Sequence, residues 1–236
     1  LFIGRDRPAG QHLAGGPMIK LAPQLINLFA TLILMLSFAM ISQRRIVSLI
    51  NLFTIQGAAL VAASVLLGYV THQPDLYVSA ALTLLLKVIF IPWMLHRVIR
   101  KLNVRWDVDT LINIPTTMLV GIALVIFSFS LALPISRLSS SMAGGSLGIA
   151  LACVLLSFLM MITRSKAVPQ VIGFLSMENG LIFAATTVTN GMPMIVEFGI
   201  ALDVLVGVLI LGVFMFQIRE KFDSLDIHNL ETLKED

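Results

Sequence analysis

The sequence predicts an all-α polytopic membrane protein with seven transmembrane helices. Three observations lead there. Of 236 residues, 58% are hydrophobic and 12% charged, with a mean hydropathy of +0.96; soluble domains carry about twice that share of charge. Seven segments reach the length of about twenty mostly apolar residues that a spanning helix needs. The basic residues collect on alternate connections, as the orientation rule for membrane proteins requires.

The predicted spans are 22–42, 46–70, 76–99, 110–133, 146–163, 168–189 and 194–218. The breaks between them hold charge or turn residues: SQRR, THQPD, RKLNVRWD, LPISR, TRSKAVP and NGMP. Pro92 and Pro115 fall inside spans, where loss of a backbone donor predicts kinks in the third and fourth helices. Connections after spans 1, 3 and 5, and the segment after span 7, carry Arg44, Arg45, Arg97, Arg100, Lys101, Arg105, Arg164, Lys166, Arg219 and Lys221. The opposite side carries Lys20 and Arg137 near the membrane. This asymmetry places the N-terminus outside and the C-terminus in the cytoplasm, and an odd number of spans, which puts the termini on opposite sides, agrees with this.

Residues 1–17, LFIGRDRPAGQHLAGGP, differ from the rest of the chain and read as leader or added sequence without a signal-peptide core. The single cysteine, Cys153, supports no internal disulfide and no cysteine-ligated cluster, and reads as a lipid-facing or packing residue. The four histidines, at 12, 72, 96 and 228, share no helix face, so no histidine-based metal site is expected. Nothing points to nucleic acid; basic residues here set orientation in the bilayer.

An internal repeat organises the rest. NLFTIQGAALVAAS, 51–64, lies over GFLSMENGLIFAAT, 173–186, with Gln56 on Glu178 and Thr54 on Ser176. Continued into the next span, LTLLLKVIFIP lies over FGIALDVLVGV, with Lys87 on Asp203. The chain thus reads as a parallel duplication of a three-helix unit, spans 1–3 and 5–7, joined by span 4. Its parts are a first unit at 18–100, a linker loop and span 4 at 101–134, a second unit at 135–218 and a cytoplasmic tail at 219–236.

Gln56, Lys87, Glu178 and Asp203 each sit near the middle of a span. An ionised side chain there costs about 2.5–3.5 kcal/mol on insertion scales, so these groups must face protein interior, a water-filled cavity or a partner subunit. They are candidates for a proton relay through Glu178, Asp203 and Lys87, with Gln56 in support. A structural ion pair is the alternative at this point. Glu197, near the outer end of span 7, either joins the relay or snorkels to the interface.

The segment from about 167 onward, VPQVIGFLSMENGLIFAATT followed by VEFGIALDVLVGVLIL and LDIHNLETLKED, resembles the small K-type membrane subunit of respiratory complex I. Glu178 falls on that family's mid-helix glutamate in helix 2, and Asp203, a shorter acid, on the glutamate of helix 3. Glu197 has no counterpart in that pattern. Over nearly the whole chain from Met18, with the Gln56 segment, TLLLKVIFIP, SMENG and FGIALD, the sequence resembles the E component of hydrogenase-4, a K-like subunit of group 4 nickel–iron hydrogenase complexes. The resemblance implies a membrane-arm subunit that couples redox chemistry to proton or sodium movement. It implies no redox centre or cofactor in this chain. It also implies antiporter-like and quinone-site-like membrane partners, peripheral hydrogenase-type subunits on the cytoplasmic side, and residence in a bacterial or archaeal cytoplasmic membrane. Two other classes compete. One is a subunit of a multi-subunit cation/proton antiporter, whose K-like components are normally shorter. The other is an independent seven-helix receptor or transporter; a retinal protein would want its lysine in helix 7, not helix 3.

Overall fold

In the computed structural model, residues 17–102, 111–136, 141–189 and 207 are described. The described elements are all helical: α1 (Pro17–Ser42), α2 (Ile46–Thr71), α3 (Pro74–Thr83), a π segment (Leu84–Phe90), α4 (Ile91–Leu102), α5 (Ile114–Ser136), α6 (Ser141–Thr163) and α7 (Ala167–Thr189). The run α3–π segment–α4 contributes one span, Pro74–Arg97, so the described residues contain six helices long and apolar enough to cross a membrane. These match the first six predicted spans. The predicted seventh, 194–218, with Glu197 and Asp203, lies outside the described residues, as do the leader to residue 16 and the tail at 219–236.

The two prolines behave differently from each other. Pro92 stands in the first turn of α4, just beyond the π segment. It has no N–H to give the Val88 carbonyl and its ring crowds that carbonyl; the wider turns just before it relieve both problems. The third span is therefore irregular where Lys87 sits. Pro115 was expected inside a span, but α5 begins at Ile114. It occupies the first turn, where its missing N–H is one that no helix satisfies internally, so the expected kink in the fourth span is corrected.

The helices pack as neighbours in a definite pattern. α1 contacts α2 and α6, α2 contacts α7 and the third span, and α6 contacts α5 and α7. The helices that the sequence repeat would pair, α1 with α6 and α2 with α7, thus lie side by side. Two apolar cores result. One joins Met40, Phe53, Leu95, Leu156 and Leu175; the other joins Ile33, Leu60, Cys153, Ile182 and Phe183. Cys153 is therefore a packing residue. α7 comes close to α6 through glycine: a Cβ on Gly180 would lie 3.2 Å from the Cβ of Cys153, and one on Gly173 would lie 3.3 Å from the Ser157 carbonyl oxygen. Small residues are what allow such approach between membrane helices.

One charged residue holds the α1–α6 end together. Arg164 is buried at the turn between α6 and α7, and its Nη2 donates to the Ile41 carbonyl at 2.6 Å and the Met40 carbonyl at 3.4 Å. Those carbonyls belong to the last turn of α1, which lacks internal donors and carries partial negative charge. The Arg164 carbonyl in turn accepts from Gln170 Nε2 at 2.8 Å. Near the same membrane border, Arg97 lies over the Trp93 ring at 5.3 Å, as expected where aromatic and basic residues meet headgroups. Substituting Arg164→Met keeps much of the stem and removes the charged donors. The expected loss is about 2–3 kcal/mol, seen as a thermal midpoint lower by roughly 5–10 °C in the detergent-solubilised protein; an unchanged midpoint would remove the capping role.

Candidate functional site

Three of the five residues singled out from the sequence meet in one place. Gln56 comes from α2, Lys87 from the π segment and Glu178 from α7, and all three are fully buried. Lys87 Nζ lies 3.3 Å from Glu178 Oε1. The other two, Asp203 and Glu197, lie outside the described residues.

The residue that joins the pieces was not singled out from the sequence. Asn179, next to Glu178 and equally buried, accepts from Lys87 Nζ through Oδ1 at 3.0 Å. Its Nδ2 donates to Gln56 Oε1 at 3.2 Å. Gln56 Nε2 then donates to Ser37 Oγ on α1 at 2.7 Å and to Ser176 Oγ on α7 at 3.0 Å. Ser176 Oγ shares a 2.7 Å hydrogen bond with Ser157 Oγ on α6. Ser37 Oγ in turn donates to the Ile33 carbonyl at 3.0 Å. One connected polar cluster therefore ties the π segment, α7, α2, α1 and α6 inside apolar protein.

A signal for the missed residues was present. Ser176 and Asn179 are three apart on α7, the spacing that puts two side chains on one helix face. The repeat drew attention to titratable residues and to Thr54 on Ser176, but Asn179 aligns with Gly57, where there is no side chain to compare. Gly57 instead faces the third span: a Cβ there would lie 3.4 Å from Val88 Cγ2 and 3.7 Å from Lys87 Cβ. The absent side chain lets the π segment lie close to α2.

The cluster has two chemically distinct ends. The Lys87–Glu178 end holds an ammonium and a carboxylate, opposite charges that compensate each other inside apolar protein. The amide and hydroxyl end does not titrate in the physiological range; it orients and satisfies hydrogen bonds. Among the described residues, no group of three or more His, Cys, Asp or Glu is placed to hold a metal ion.

Hydrogenase-4 component E of Escherichia coli strain K12 is 25% identical over 218 residues, covering 89% of this chain and 97% of its own length. The Shigella flexneri protein of that name gives the same values. The chain resembles hydrogenase-4 component E. The match covers both halves of the chain, as the component E resemblance predicted from Met18 onward. An uncharacterized protein of Mycobacterium tuberculosis is 29% identical over 212 residues, 89% of this chain and 96% of its own length. No protein-family model and no solved structure matches. The sequence and the six apolar helices of the described residues make this a multi-pass membrane protein, similar to hydrogenase-4 component E over nearly all of that protein's length.

Removing one member of a buried ion pair leaves the other charge uncompensated, at about 3–5 kcal/mol. Lys87→Met alone is therefore expected to lower the thermal midpoint and the assembled yield sharply. Adding Glu178→Gln to it should restore much of both, because the double variant buries no charge at this pair. Equal damage in the single and double variants, measured by thermal unfolding in detergent, would show that the two side chains are not coupled.

Proposed function

We propose that this chain is a membrane-arm subunit of a hydrogenase-type, complex-I-like assembly, and that it contributes Glu178, Lys87 and Asp203 to ion translocation driven by redox chemistry elsewhere in the complex. The observation that carries the reading is the fully buried Lys87–Glu178 pair near the middle of two spans. Similarity to hydrogenase-4 component E supports the kind of complex. The partners are other membrane subunits and peripheral hydrogenase-type subunits on the cytoplasmic side, in the cytoplasmic membrane of a bacterium or archaeon. In this reading the duplicated unit divides the labour: the first unit supplies an amide and a lysine, and the second supplies two acids.

A proton is the ion this site favours. A sodium ion would need several oxygen ligands and a place beside the carboxylate, and the Lys87 ammonium stands 3.3 Å from Glu178 there. Proton exchange within the pair needs no extra ligand. Burial makes each charge depend on its neighbour, so a change in one part of the complex alters which group holds the proton.

Glu178→Gln copies the amide of the first unit into the second. The amide keeps the size and hydrogen-bonding capacity of the side chain but leaves the Lys87 ammonium without its buried counter-charge, so a loss of stability is expected and coupling is read only in complexes shown to assemble. Proton movement coupled to turnover in membrane vesicles should fall by about 100-fold, the lower end of what a positioned proton-transfer group contributes. Full coupling in an assembled Glu178→Gln complex would make the pair structural.

Orientation has its own test. A reporter fused after Asp236 should be active only in a cytoplasmic form; activity of a reporter that works only outside the membrane would reverse the reading.

A further inference from the structure

We propose that Asn179 is a positioning residue for the Lys87–Glu178 pair, holding the Lys87 ammonium in place and fixing the direction of the hydrogen bonds that Gln56 makes. The inference rests on the reading of the pair as a proton-exchange site.

The argument starts from what an ammonium can do. It donates and never accepts. Facing Lys87 Nζ at 3.0 Å, Asn179 must therefore present Oδ1. That turns Nδ2 towards Gln56, which must answer with Oε1. The two hydrogens of Gln56 Nε2 are then directed at Ser37 and Ser176, and Ser37 Oγ donates to the Ile33 carbonyl. Each donor in this series points away from Lys87, and the series ends on α1 backbone. A carboxylate at 179 would accept from Lys87 but offer Gln56 no donor. An apolar residue would do neither.

Asn179 also sets where the lysine sits. Adjacent residues on a helix project about 100° apart, so Glu178 and Asn179 cannot overlap, yet both reach Nζ. The shorter contact is to the neutral amide, 3.0 Å against 3.3 Å for the carboxylate. The amide oxygen thus anchors the ammonium whether or not Glu178 carries charge, so the lysine does not leave its place when the carboxylate changes protonation. Of the elements packed on the π segment, α2 carries no charged residue between Ile46 and Thr71. Asp75 of α3 and His96 and Arg97 of α4 lie towards the two ends of the third span. Glu178 is the charged group whose contact with Lys87 is described, and Asp203, the acid predicted for span 194–218, lies outside the described residues.

The test uses the assembled complex in membrane vesicles, with Asn179→Leu and Asn179→Asp, and reads the pH profile of coupled turnover. Loss of the amide oxygen disfavours the charged amine; an anionic oxygen favours it. The alkaline limb of the profile should move to lower pH in Asn179→Leu and to higher pH in Asn179→Asp, each by about one pH unit. Opposed shifts are the signature, because damage to packing would lower activity in both without moving the limb in opposite directions. If Asn179→Leu does not assemble, the near-isosteric Asn179→Asp decides alone. An unmoved limb, or shifts of the same sign, overturns the proposal. Glu178→Gln in the same vesicles keeps the two readings apart. Retained coupling there defeats the proton-exchange reading, whereas lost coupling with unmoved Asn179 profiles defeats this inference alone.

Discussion

The structure depends on one constraint: a lysine and a glutamate are kept together in a place where neither can reach water. Lys87 and Glu178 are fully buried and 3.3 Å apart. Each would be costly alone at that depth, and each makes the other tolerable. Meeting that constraint requires the third span and α7 to converge around α2, and it requires the remaining lone pairs and protons to be answered by polar groups nearby. Asn179 accepts from the Lys87 ammonium, and Gln56, Ser37, Ser176 and Ser157 carry that contact on to α2, α1 and α6. Such a cluster is high-stakes, since a half-satisfied version would be worse than an apolar core.

The backbone obeys the same demand. A regular helix through Leu84–Phe90 would have presented Lys87 differently and would have met Pro92 with an unpaired carbonyl. The π segment resolves both locally. Gly57 lets that segment lie against α2. Gly173 and Gly180 let α7 lie close to α6, and so fix where Glu178 and Asn179 stand. At the end of α1, Arg164 closes the carbonyls of its last turn, giving the α1–α6 contact a second anchor about one to two turns beyond Ser37 and Ser157. Apolar packing in a bilayer is only weakly selective between helices. The polar contacts are therefore what specify which helices become neighbours.

For a hydrogenase-4 component E relative, this arrangement separates two duties within one cluster. The ion pair sits at one end, and neutral amide and hydroxyl groups sit at the other. The second set ties α1, α2, α6 and α7 together through hydrogen bonds.

Much of this could be read from the chain alone. Membrane class and six of the spans came from composition and from runs of about twenty apolar residues, because a bilayer imposes length and apolarity on each helix separately. Gln56, Lys87 and Glu178 stood out for the same reason: a polar group in a span is conspicuous without knowledge of its neighbours. What only the tertiary structure decided was which of these groups meet. Asn179 looked ordinary beside Glu178, and its aligned position holds a glycine; it gains its role by lying between residues 92 and 123 positions away in sequence. Pro115 likewise seemed to interrupt a span until the start of α5 placed it in a first turn. Span length and polarity are properties of one segment, whereas hydrogen-bond partners and helix ends depend on how segments pack, and no single segment contains that information.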